Sequence, residues 1–195
     1  MPRPNIIVPR PAGAPEMSPF SSGEFSFPIT PGSASSTAQI AAALAIADKG
    51  IVRIDVYPTA AQMATVLTAP ISVIPAALVA SFLAPLGKII VPVAWSATKN
   101  VSAVGAINTV LQVEYDDASW AGFVLLPTIN FDTNSARKGQ FIGFTAGSLS
   151  NTNTGVRSAE GKGIRIIGSA DPGNFPATQI SARFSILLYV MAPAP

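Results

Sequence analysis

The stretch Ile107-Asn108-Thr109-Val110-Leu111-Gln112-Val113-Glu114-Tyr115 places Ile, Thr, Leu, Val and Tyr at every second position, with mostly polar residues between them. This period of two is typical of a β-strand that has one buried face. The segment Ile51–Tyr57 alternates in the same way, and Pro58 ends it. We therefore predict a fold that is built mainly from strands.

Other short apolar segments are separated by turn-forming residues and are also predicted to be strands. They are Glu24–Ile29, Lys88–Trp95, Phe123–Phe131, Phe141–Phe144, Gly163–Ile167 and Ile180–Met191. Pro92 is compatible with its strand only at a sheet edge or a bulge. The number and spacing of the strands predict an all-β fold, a single jelly roll or two-sheet antiparallel sandwich.

Three segments are open to a helical interpretation. Ala60–Leu67 and Ala76–Leu83 are predicted to form one or two short helices, the second of them beginning after Pro75. Ser36–Ala47 fits a helix by propensity, but Ile40, Ala42, Leu44 and Ile46 recur at the spacing of a strand. We expect a strand there.

The chain divides into a Pro-rich extended N-terminal arm (residues 1–35), a jelly-roll domain (36–191) and a Pro-rich tail (192–195). The apolar residues Ile6, Ile7 and Val8 stand between two prolines. They favour an arm that acts as an assembly strap between subunits, and the alternative is a leader without function. Arg3 and Arg10 would contact phosphate groups if the arm faced an enclosed genome.

The composition indicates a subunit of an assembly. Of the 195 residues, 49% are hydrophobic and only 11% are charged, whereas about 25% is usual for charged residues in a soluble domain. The uncharged window Ala64–Gly87 is long enough to span a membrane, but Pro70, Pro75 and Pro85 exclude one continuous helix. We therefore expect copies of the chain as partners, in a large homo-oligomeric shell, and no membrane.

The chain contains no cysteine and no histidine. This excludes disulfides, Cys/His zinc sites and a histidine general base, so we expect a protein that is not an enzyme. The twelve Lys and Arg residues are dispersed, which predicts that any genomic RNA is contacted weakly. No apolar signal sequence follows the N-terminus, so we expect no secretion.

Three acidic residues are the candidate metal ligands. Glu114 and Asp116 would share one face of a strand and, with backbone carbonyls or a neighbouring subunit's Asp132, would hold calcium at a subunit interface. Asp117 is the third candidate ligand. The alternative is a solvated strand end. No other cofactor is predicted, because the glycines at 139, 143 and 147 lack the Gly-Lys-Ser/Thr of a phosphate-binding loop.

Three segments carry a resemblance to a known family. They are Lys88–Ser96, which is a strand with Trp95 near its end, Val52–Thr59, which ends in Pro-Thr, and Gly163–Asp171 followed by the long strand Ile180–Met191. Together they resemble segments of coat proteins from viruses of the turnip yellow mosaic type. The resemblance implies a jelly-roll capsid protein that builds an icosahedral shell around single-stranded RNA, located in the virion and assembled in the host cytoplasm.

Two other functions remain open at this stage. One is a decoration, fibre or minor capsid protein of a phage head. The other is a carbohydrate-binding β-sandwich module, in which Trp95, Trp120 or Tyr115 would provide stacking platforms for sugar rings.

Overall fold

The structure is a computed structural model, and it describes residues 26–101, 108–117, 125–132, 140–146, 160–172 and 180–192. Nine strands lie in these ranges: β1 (Ser26–Ile29), β2 (Val52–Val56), β3 (Ile71–Ile74), β4 (Ile89–Val101), β5 (Asn108–Asp116), β6 (Leu126–Asp132), β7 (Gln140–Ala146), β8 (Gly163–Gly168) and β9 (Ile180–Met191). The helices there are α1 (Ala34–Ala47), α2 (Ala60–Ala64), α3 (Ala76–Phe82) and a 3₁₀ helix (Ala84–Leu86). Within these ranges no helix combines the length and the apolar character needed to cross a bilayer.

The strands form two sheets that share one hydrophobic core. One sheet has the order β1-β2-β9-β4-β7 and the other has the order β3-β8-β5-β6. The predicted all-β, two-sheet organisation is confirmed. The pairing is antiparallel except between β1 and β2, which run parallel, so the expectation of a wholly antiparallel fold is wrong at this edge.

The core follows from the period of two along the strands. In β9, Phe184, Ile186, Leu188 and Val190 are buried, and they belong to the same core as residues of β5 and β6. The ring of Phe184 lies 6.3 Å from that of Phe131 in the opposite sheet, between ring centroids. Each such buried apolar side chain contributes about 1.5–3 kcal/mol, so this face supplies much of the stability.

Helix α1 corrects the prediction of a strand at Ser36–Ala47. Its buried residues are Ser36, Ile40, Ala43, Leu44 and Ala47, which is the spacing of one helix face. Alanine has the highest helix propensity, and α1 packs against β1, β2 and α3. With α2 and α3, which are confirmed, the described residues contain three α-helices and not the one or two expected.

Two strands also differ from their predicted limits. β3 was not predicted; it is a four-residue strand that lies between Pro70 and Pro75. β4 continues to Val101, beyond the predicted end at Trp95. Pro92 is accommodated as predicted, because the register of β4 against β9 shifts between Pro92 and Ala94.

β1 belongs to the folded body although the sequence placed it in the arm. It pairs with β2 from Ser26 to Ile29, and Phe27 and Ile29 are buried in the core. The Ser36 hydroxyl fixes the turn between β1 and α1, since it accepts a hydrogen bond from the Thr30 amide and donates one to the Thr30 carbonyl. The described body therefore begins at residue 26.

Asp171 connects two loops through hydrogen bonds to the main chain. Its carboxylate accepts hydrogen bonds from the amides of Leu67, at 2.6 Å, and Thr68, at 3.1 Å. Partial desolvation opposes the charged form, but the hydrogen bonds from the Thr68 side chain and from the two amides outweigh it and lower the pKa of Asp171. The loop between α2 and β3 is thus held beside the end of β8.

Gly163 stands where the chain leaves no room for a side chain. A Cβ atom there would lie 2.2 Å from the Ile74 carbonyl oxygen and 2.7 Å from the Ala76 nitrogen. We expect Gly163→Ala to lower the free energy of unfolding by about 1–3 kcal/mol or more, because the backbone must move to relieve the overlap. Urea denaturation measures the change.

Gly50→Ala is the matched control, because no atom lies within 4 Å of a Cβ at that position. Equal stability of the two variants would contradict the close packing of β8 against the β3–α3 junction.

Candidate functional site

A charged row lies on the face of β5 and β8 that is opposite to the core residues Leu111 and Val113. The register places Glu114 directly across from Arg165. Glu114 is fully buried, and Arg165 Nη2 lies 3.0 Å from its Oε2. Gln112 Nε2 donates to Oε1 of the same carboxylate at 2.6 Å. The row is therefore a hydrogen-bonded network around a buried negative charge.

The other two predicted metal ligands also have cationic partners. Arg165 Nη1 lies 3.6 Å from Asp116 Oδ1, and Lys162 Nζ lies 2.5 Å from Asp117 Oδ2. Among the described residues, no group of three or more acidic side chains is arranged to hold a metal ion. The structure thus brings Glu114 and Asp116 to one arginine. A calcium ion between subunits stays a prediction, and the Asp132 side chain lies outside the described part.

A second buried carboxylate was missed by the sequence analysis. Asp55 in β2 accepts hydrogen bonds from Ser26 of β1 at 2.5 Å, from Arg53 Nε at 3.1 Å and from Ser185 of β9. Pairing of Asp55 with Ser185 across the β2–β9 ladder brings these groups together. The cluster ties three strands and has a structural role.

Two of the three proposed sugar-stacking residues are buried. Trp95 is 0% exposed and Tyr115 is 5% exposed, so neither ring can present a face to a ligand. The carbohydrate-binding interpretation is wrong for these two residues, and Trp120 lies outside the described ranges. The Tyr115 hydroxyl donates instead to the Ile90 carbonyl in the other sheet, at 2.7 Å.

An apolar groove opens between the end of α1 and the segment that follows α3. It has a volume of about 270 Å³, and Leu44, Leu83, Phe82 and Leu86 line it. Phe82 is 47% exposed and Leu86 is 61% exposed. The ion pair between Lys88 Nζ and Asp48 Oδ1, at 2.6 Å, borders the groove. This surface is the candidate for contact with another polypeptide segment.

Several predicted functional residues lie outside the described part of the chain. They are the proposed strap residues Ile6, Ile7 and Val8 and the proposed nucleic-acid contacts Arg3 and Arg10. Their assignments stay predictions from the sequence.

In comparisons with known proteins, no family model matches the chain and no curated protein matches it in sequence.

The hydrogen bond from Tyr115 to Ile90 yields a stability prediction. Burial is the main cause that raises the pKa of Tyr115 to about 12, and Tyr189 adds to it. We expect Tyr115→Phe to lower the free energy of unfolding by about 1 kcal/mol at neutral pH. In the unsubstituted protein, the contribution of Tyr115 is complete below pH 10 and is lost as the pH rises toward 12.

Urea denaturation between pH 8 and 12 measures both effects. Tyr57→Phe is the control, since Tyr57 is 42% exposed. If the difference between Tyr115→Phe and the unsubstituted protein stayed constant up to pH 12, the titration argument would be refuted.

Arg165→Met tests the charged row. The substitution leaves Glu114 buried without its arginine, and breaking a buried pair in this way costs about 3 kcal/mol or more. Lys162→Met is the control, because the pair between Lys162 and Asp117 is partly exposed and is worth less than about 1 kcal/mol.

Both variants are compared by thermal and urea unfolding. The double variant with Glu114→Gln should recover part of the loss, since the fully buried charge is removed and only the partly exposed Asp116 has lost its arginine. If the two single variants lowered the free energy of unfolding equally, the buried pair of Arg165 and Glu114 would contribute no more than the partly exposed pair of Lys162 and Asp117.

Proposed function

We propose that this protein is the coat protein of a small icosahedral virus and that its body is a jelly roll. One observation carries the proposal. The strands pair in a nested order, with β2 against β9, β3 against β8, β4 against β7 and β5 against β6, and every pair is antiparallel. One long hairpin made of eight strands would have this pairing. When such a hairpin folds over on itself, the pairs β2–β9 and β4–β7 lie in one sheet, and the pairs β3–β8 and β5–β6 lie in the other.

This pairing supports the proposed jelly roll, the eight-stranded double sheet of viral capsid and lectin domains. The first of these classes is favoured here, because Trp95 and Tyr115, the described candidates for a sugar platform, are buried. β1 extends the sheet beyond the nested set, and α1 covers it. The chain thus carries an additional edge unit beside the eight strands.

The surface chemistry also supports a shell subunit. Only 11% of the residues are charged, and among the described charges Arg165, Lys162, Arg53 and Lys88 pair with carboxylates of the same chain. Large apolar side chains, among them Phe82 and Leu86, remain exposed. Such a surface associates readily with copies of itself, and each contact can be weak because many are made at once.

In this proposal the protein is a structural component of the virion and not an enzyme. Residues 1–25 supply a strap between subunits through Ile6, Ile7 and Val8, and Arg3 and Arg10 contact the RNA inside. The dispersed positive charges provide few phosphate contacts per subunit.

Electron microscopy of the purified full-length protein tests the proposal. We expect closed particles of uniform diameter, and we expect fewer or irregular particles when Ile6, Ile7 and Val8 are all replaced by Ser. The substitutions lie outside all the described strands and helices, and circular dichroism verifies that the variant folds. Ile51→Ser is the control, because it removes an exposed apolar side chain from the body.

Monomers or trimers from the unsubstituted protein at high concentration would contradict a main shell protein. They would instead favour a decoration, fibre or minor capsid protein that needs another shell.

A further inference from the structure

The groove beside α1 has the size and chemistry of a receptor for a few aliphatic side chains. Its volume of about 270 Å³ lies below the range of about 300–1,000 Å³ for small-molecule sites. Phe82 and Leu86 are exposed there by about half or more, and Leu44 forms part of the opposite wall. An apolar polypeptide segment would bury these side chains.

We propose that the occupant is the segment Ile6-Ile7-Val8 of a neighbouring copy of this chain. The inference rests on the proposed function, in which the arm links subunits. The segment is apolar and uncharged, and Pro4 and Pro9 flank it. Proline favours extended backbone and lowers the entropy that is lost on binding. In an extended segment Ile6 and Val8 project to the same side, as two anchors require.

The length of chain before β1 is sufficient for contact with a neighbouring subunit. Seventeen residues, 9–25, separate Val8 from Ser26, and four of them are proline. At about 3.1 Å per residue, a chain of this kind spans roughly 50 Å. A folded body of this size has a radius of gyration of only about 15 Å. A chain of this length is long enough to reach a neighbouring subunit.

The charges at the groove suit this occupant. The Asp48–Lys88 ion pair is already satisfied within the body, so an uncharged segment leaves no charge without a partner. A charged helix or a nucleic-acid strand would gain nothing from the apolar wall formed by Phe82 and Leu86.

Disulfide trapping tests the contact directly, because the chain has no cysteine of its own. The full-length variant that combines Val8→Cys with Leu86→Cys is assembled, oxidised mildly and separated on a non-reducing gel. We expect disulfides between chains. Val8→Cys with Leu67→Cys is the matched control, because Leu67 is 41% exposed but does not line the groove, and we expect at least roughly tenfold less cross-linking there.

The outcomes separate this inference from the proposed function. Closed particles with equal cross-linking in the two variants would overturn the groove contact and leave the coat-protein proposal standing. A disulfide within one chain would overturn the assignment to a neighbour. Absence of both particles and cross-links would overturn both proposals.

A second variant removes two of the apolar side chains that line the groove and does not depend on cross-linking. We expect the replacement of Phe82 and Leu86 by Ser to raise the protein concentration needed for particle formation by roughly tenfold or more, as loss of a large buried apolar side chain does. Leu67→Ser should leave it unchanged. Circular dichroism verifies that both variants fold, and an unaltered threshold in the groove variant would contradict the inference.

Discussion

The pairing of β9 with β2 on one side and β4 on the other is the constraint on which the rest of the structure depends. The ladder between β4 and β9 runs from Ile89 opposite Met191 to Val101 opposite Ile180. Because β9 lies near the C-terminus, its hydrogen bonds close loops of more than a hundred residues to β2. The same strand carries Phe184 to Val190 into the core, so main-chain pairing and apolar burial are fixed by one register.

The sequence predicted those elements whose pattern is local. Alternation is enough to identify β2, β5 and β9, and the bulge at Pro92 follows from the missing amide hydrogen. Prediction of α1 as a strand was wrong because apolar residues fill every position from Ile40 to Ala47. Such a run fits the period of a strand and the period of a helix equally. The spacing of Ile40, Ala43, Leu44 and Ala47 was a usable signal, and alanine propensity agreed with it.

The candidate sites depend on the register between paired strands, and the pattern of residues within one strand does not predict that register. Glu114 was recognised as a possible ligand beside Asp116 and Asp117, yet its environment is set by Arg165, which the β5–β8 ladder places opposite it. Asp55 is surrounded by Ser26 and Ser185, which lie far away in the sequence. A one-residue shift would turn each of these side chains to the other face, so their partners were beyond sequence reasoning.

The placement of the few ionic groups favours one register of the strands, and it is compatible with the proposed association of copies. The described ion pairs at Glu114 and Asp55 lie within the sheets, where a mispaired strand would bury a charge without its partner, and such a state costs several kcal/mol. Charge is thus used to specify strand pairing inside the subunit. The outer surface is left with apolar side chains such as Leu86, whose burial has no directional requirement. In the proposed shell, association through such groups would tolerate small differences in angle between copies, which a closed shell built from many identical subunits requires.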